Sequence, residues 1–186
     1  MRDGKQALWE LAGITKVFPG VRALDDVDFS VYAGEVHGLL GENGSGKSTL
    51  IKCLSGVHAR SAGRILYKGE PVEISDPESA RRFGIATIFQ EFSLVPDLSV
   101  AENIFLGRLP KKSGVIDWPS VRERAALILR ELKITLDVDL PVGSLSVAQQ
   151  QMVEIAKALS VRSELLIMDE PTAALGMEDI ENLHAL

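Results

Sequence analysis

With 186 residues, 46% of them apolar and 25% charged, the chain has the size and balance of one folded domain and none of the biased composition of a disordered segment. A net charge of −6, with Lys and Arg scattered along the chain, argues against nucleic acid or an acidic lipid surface as a partner held by general attraction, so an anionic ligand must be gripped locally. The N-terminus lacks the apolar core of a secretory leader, no apolar run nears the roughly 18 residues of a membrane span, and Cys53, the sole cysteine, excludes an internal disulfide; a cytosolic setting is expected.

Two alternating runs, Leu8 to Val17 and Ala23 to Val31, read as strands that pair across the turn Phe18-Pro19-Gly20. A third strand is expected from Glu35 to Leu40, leading into the glycine-rich stretch GENGSGKSTL. From Ser48, the residues Leu50, Ile51 and Leu54 recur at helical spacing, with Cys53 as a small core residue and Gly56 as a stop. Arg64 to Val72 reads as a strand. Asp76 as N-cap, Pro77 at the first helical position and Gly84 past the end then frame a short helix.

Ile85 to Phe89 is a compact apolar strand ending at Gln90. Ser99 with Glu102 forms a capping box that opens a helix through Phe105. A longer helix carries Val121, Ala125, Ile128 and Leu132 on one face. Ser146 with Gln149 is a second capping box, whose helix turns Met152, Ile155, Ala156 and Leu159 inward, and Leu165 to Met168 is an apolar strand closed by Asp169 and Glu170. Strands alternating with helices imply an α/β domain with a largely parallel sheet.

The segment from Gly41 to Ser48 matches G-x-x-x-x-G-K-[ST] between an expected strand and a helix. Gly41, Gly44 and Gly46 free the backbone to turn successive N–H groups toward one anion, and the helix N-terminus adds partial positive charge. Lys47 can reach the β- and γ-phosphates of a nucleoside triphosphate, and the Ser48 hydroxyl can join a Mg²⁺ shell. In LLIMDEPTAAL a strand delivers two carboxylates to its C-terminal edge, where ligands gather in open α/β sheets. Asp169 is expected to hold Mg²⁺, and Glu170 to orient or deprotonate the attacking water.

Taken with ITKVFPGVRALDDVDFSV, IFQEFSLVPDLSVAENIFLG and LSVAQQQMVEIAKAL, these segments make the chain resemble the nucleotide-binding subunits of ABC transporters along nearly all its length. It is most similar to the N-terminal half of sugar-importer ATPases of the ribose, galactose and xylose type, in which two such domains are fused. The resemblance implies a P-loop NTPase: a RecA-like, mostly parallel sheet with an N-terminal antiparallel subdomain and a helical subdomain at about residues 91–160. It implies that residues 1–186 form a single nucleotide-binding domain that binds ATP and Mg²⁺ through Gly41, Glu42, Asn43, Gly44, Ser45, Gly46, Lys47, Ser48 and Thr49. It makes Phe18 the adenine-stacking ring, and Gln90 a residue touching Mg²⁺ and the attacking water. Ser146, Val147, Ala148 and Gln149 become the segment that contacts the γ-phosphate held by a facing domain. The implied partners are that second nucleotide-binding domain, a membrane permease and, indirectly, a sugar-binding protein. The implied place is the cytoplasmic face of the membrane.

Three departures stand out. Ala148 occupies a position where the family pattern has glycine, and Gly176 one where many relatives carry an aspartate. The family's switch histidine follows the catalytic glutamate by about thirty residues, on another strand, whereas this sequence runs sixteen residues past Glu170. His184 falls too early for that role, and His37 and His58 read as structural. The expectation is therefore a C-terminally truncated domain lacking its last core strands. That leaves open a second reading, a fragment that binds ATP without hydrolysing it. A soluble ABC ATPase of DNA repair or translation fits the acidic balance less well.

Overall fold

The computed structural model describes residues 6–169. In chain order the elements are β1 (Trp9–Phe18), β2 (Val21–Val31), α1 (Lys47–Leu54), β3 (Ala62–Tyr67), β4 (Glu70–Val72), α2 (Pro77–Arg82), β5 (Ile85–Ile88), α3 (Val100–Ile104), β6 (Lys111–Lys112), β7 (Val115–Ile116), α4 (Trp118–Glu131), a 3₁₀ turn (Val142–Ser144), α5 (Val147–Leu159) and β8 (Leu165–Met168). The chain divides into two units, Met1–Ile85 and Ala86–Leu186.

In the first unit an antiparallel sheet has the order β2-β1-β3-β4. Phe18 lies opposite Val21, and Pro19-Gly20 closes the hairpin, with Gly20 at φ 80° where an L side chain would be strained. The β1–β2 register shifts between Leu11 and Ile14. There the Gly13 amide donates to the Asp28 carboxylate at 2.8 Å and the Asp26 amide to the Thr15 hydroxyl at 3.1 Å. Such irregularities bend and twist a hairpin. Trp9, Leu11, Ile14 and Ile65 are enclosed, each burial stabilising by about 1.5–3 kcal/mol. The Trp9 ring packs 4.8 Å from Tyr67 and edge-on to Phe83.

Two expectations in this unit are corrected. Arg64 to Val72 is not one strand but a hairpin, because Lys68 and Gly69 both take positive φ (53° and 85°) and let Tyr67 pair with Glu70. That two-residue turn matches the twist of the flanking strands. Glu35 to Leu40 forms no strand: it runs as coil, with Val36 and Leu40 exposed. No described residue pairs with it. Local preference does not hold an isolated strand whose amides lack a ladder and whose apolar side chains lack a facing layer.

In the second unit β5 pairs with β8, and the Asp169 amide donates to the Ile88 carbonyl at 2.9 Å. This bond joins the C-terminal ends of both strands, so they run parallel. Among the described residues this is the parallel part of the fold, smaller than the sequence pattern suggested. Ala86 and Ile88 of β5 pack with Ile155 and Ala158 of α5. Val100 and Ile104 of α3, Val121, Ala125 and Leu129 of α4, and Val153 and Ala156 of α5 form a second apolar cluster. The inward face of α4 thus uses Leu129, with Ile128 half-buried. Because the two clusters meet α5 on different sides, that helix buries Gln151, Val153, Glu154, Ile155, Ala156 and Ala158, while Met152 and Leu159 are half-buried. Both expected capping boxes, Ser99 with Glu102 and Ser146 with Gln149, are formed. So is the Asp76 cap of α2.

Candidate functional site

The residues 41–49 form a continuous loop-to-helix passage in the first unit. Residues 41–45 are exposed and 46–49 half-buried. Gly46 caps α1 at φ 93°, and a Cβ there would lie 2.8 Å from the Ala23 carbonyl oxygen and 2.9 Å from a Leu24 methyl. Glycine is thus required twice, by the left-handed backbone and by the close approach to β2. Gly44 shares the positive φ, at 82°, but faces open space. The Ser45 amide donates to the Glu42 carbonyl at 3.2 Å, which tightens the loop.

Lys47 bends back over this loop, its ammonium donating to the carbonyls of Gly41 at 2.6 Å and Glu42 at 2.9 Å. The cation therefore lies against the loop, in contacts open to solvent. The first turn of α1 carries no acidic residue to neutralise the helix N-terminus. A held cation, a positive helix end and an exposed glycine-bent backbone thus lie together within residues 41–49, and each is a feature that favours an anion. Ser48 and Thr49 stand in that first turn.

Phe18 ends β1 half-buried. His58 meets its ring edge-on at 5.3 Å, and the Lys16 ammonium sits 4.8 Å from its centre while donating to the Ala59 carbonyl. His37 packs likewise on Phe29, at 4.9 Å. Cys53, on α1, is 1% exposed, and burial pushes its thiol pKa up against the smaller opposing pull of the Lys16 and Arg60 charges.

In the second unit the β5–β8 pairing brings Gln90 and Asp169 to the same strand ends, Gln90 exposed and Asp169 half-buried. Glu170, Gly176 and His184 lie outside the described residues. Ser146 accepts the Gln149 amide at 3.3 Å, and Gln149 returns its side-chain oxygen to the Ser146 amide at 3.0 Å. Both polar groups of that segment are therefore engaged in starting α5. Val147 is exposed. Ala148 and Gln149 line a cavity of about 160 Å³ with Leu132, Ile134, Leu136 and Met152.

Sequence reading missed Asn103, which is fully buried in α3. Its side-chain oxygen accepts the Val95 amide at 2.8 Å, and its amide group donates to the carbonyls of Val95, Leu98 and Ser99. It thereby fixes the segment after Gln90. The available signal was a polar residue on the otherwise apolar face of Val100, Ala101 and Ile104.

Residues 24–173 match the family model described as ABC transporter. The chain belongs to the ABC transporter family. Over 176 residues this ABC chain is 57% identical to a ribose import ATP-binding protein of Rubrobacter xylanophilus, which covers 95% of the chain and 35% of that protein. It is 56% identical over 180 residues to a putative ribose/galactose/methyl galactoside import ATP-binding protein of Burkholderia cenocepacia, covering 96% of the chain and 35% of the relative. It therefore spans about a third of the length of the curated relatives it matches. Among solved structures, a nucleotide-free ATP-binding cassette from an ABC transporter superposes with a TM-score of 0.82 at 29% identity, over 96% of this chain and 75% of that one. A dimeric post-hydrolysis cassette bound to ADP and Pi gives 0.80 at 26% identity, over 95% and 80%. The fold is that of the ATP-binding cassettes of ABC transporters, with an antiparallel sheet in its N-terminal part.

Proposed function

We propose that this chain is the nucleotide-binding part of an ABC sugar importer and that it binds and hydrolyses ATP on the cytoplasmic face of the membrane, beside a permease. The observation that carries the reading is the loop at 41–49, where a left-handed Gly46 cap, a helix start without acidic residues and the Lys47 ammonium folded onto the loop occur together. The relatives named as ribose and ribose/galactose import ATP-binding proteins support ATP as the anion and a sugar as the cargo. They favour an ATPase over a fragment that only binds. No helix among the described residues is long and apolar enough to cross a membrane, which suits a subunit that reaches the bilayer through a partner.

In this reading residues 1–186 form one nucleotide-binding domain with a helical part near 91–160. Phe18 offers its ring to the adenine, and the segment Gly41 to Thr49, Lys47 included, holds the phosphates. Ser48, Gln90 and Asp169 are oxygen donors of the kind Mg²⁺ prefers, and that ion supplies charge neutralisation on the phosphates. Glu170 orients the attacking water. Ser146, Val147, Ala148 and Gln149 present the N-terminus of α5 to the phosphate bound by a second nucleotide-binding domain.

The test is phosphate release by the full-length protein with its permease, beside the Glu170→Gln variant. Turnover that Glu170→Gln abolishes while ATP binding persists is the expected result. Binding without release in the unaltered protein would replace the ATPase with a binding module.

A further inference from the structure

Three residues after Gln90, Ser93 is held by α5 through all of its polar groups. Its amide donates to the Glu154 carboxylate, and its hydroxyl donates to the other oxygen of that carboxylate at 3.3 Å. The Lys157 ammonium donates to the Ser93 carbonyl at 3.0 Å and to its hydroxyl at 2.8 Å. Glu154 is 6% exposed, and a carboxylate is seldom so enclosed without partners for its charge. It lies on the helix whose first turn holds Ser146 to Gln149. The neighbouring part of the same loop is fixed differently, by Asn103 at Val95 and by the Gly143 amide bonded to the Pro96 carbonyl. The Glu154 and Lys157 side chains therefore join the Gln90 end of the loop specifically to α5.

We infer that Glu154 and Lys157 are positioning residues: a two-armed clamp on Ser93 that makes the Gln90 segment and the α5 N-terminus move as one body. The inference rests on the proposed ATPase reading for its functional consequence, but the clamp itself does not. Gln90 is exposed and its backbone has left the β5 ladder, so its placement depends on how the following residues are tied. Tying them to α5 sets the separation between the expected water-touching glutamine and the expected phosphate-contacting helix start. ATP binding at 41–49 uses neither arm.

The experiment uses the full-length protein with its permease and two readouts. Glu154→Ala is expected to raise amide hydrogen exchange across residues 90–94 by about tenfold or more, the opening factor for one lost charge-assisted hydrogen bond, with exchange at Val95 and in α4 unchanged. It should lower kcat for ATP by a similar factor with KM unaltered. Glu154→Gln keeps an oxygen to accept the Ser93 amide and should restore most of both. Lys157→Met removes the other arm from a half-buried site and gives the same split if Glu154→Ala does not fold. Unchanged exchange at 90–94 overturns the clamp. Raised exchange with unaltered kcat overturns the coupling. If the unaltered protein releases no phosphate, the ATPase reading fails, and exchange alone still decides the clamp.

Discussion

Replacing Gly46 by alanine separates the two reasons for glycine at that position. The backbone at φ 93° disfavours any L side chain, at a cost of about 1–2 kcal/mol. The added methyl would also stand 2.8 Å from the Ala23 carbonyl oxygen, a backbone atom that can yield only if β2 or the start of α1 shifts. Forcing atoms into such a contact costs a further 1–3 kcal/mol or so. Gly44→Ala is the control, since its φ of 82° brings the backbone penalty with no neighbour within 4 Å. For a chain of this size about 1 kcal/mol moves the melting temperature by roughly 2–4 °C. Gly46→Ala is therefore expected to lower it by about 4–20 °C, and Gly44→Ala by about 2–8 °C. Thermal unfolding followed by circular dichroism, with titration of a fluorescent ATP analogue, measures both effects. Gly46→Ala should also lose most nucleotide affinity, because α1 must move to relieve the contact. Equal, mild shifts in the two variants would refute the close approach of the loop to β2.

Lys47→Ala removes a cation that the loop already holds, and with it a charge-assisted contact of about 1.5–3 kcal/mol, so calorimetry with Mg²⁺-ATP should show affinity reduced at least tenfold. The Asp76 carboxyl is held below the usual carboxylate range by the Ser79 amide it accepts and then by the Ser75 hydroxyl. A folded pKa below the unfolded one stabilises above the unfolded value and is lost as pH falls through the folded value. The melting-temperature advantage of the native protein over Asp76→Ala should therefore be full at neutral pH and shrink below about pH 4. Cys53, enclosed and with its thiol pKa raised, should react with a disulfide reagent at pH 8 only after denaturant is added. Rapid labelling of the native chain would show that α1 opens readily.

The features legible in the sequence are those whose partners lie within a few residues. Asp76 with Ser79, Ser99 with Glu102 and Ser146 with Gln149 close their hydrogen bonds inside one turn of chain. Pro19-Gly20 sets its own dihedral angles, and the glycines before Lys47 turn the chain into α1 in consecutive residues. Such motifs need no distant neighbour, so residue order alone specifies them. The features that residue order left open depend on partners far along the chain. Glu35 to Leu40 has the composition of a strand but finds no ladder among the described residues, and Leu129 rather than Ile128 turns inward because of what α3 and α5 place against α4. Gly46 meets Ala23, and the buried Glu154 carboxylate accepts from Ser93, sixty-one residues away, because the fold closes those distances. Burial and pairing belong to the whole set of packed surfaces, and sequence periodicity records only one side of each contact.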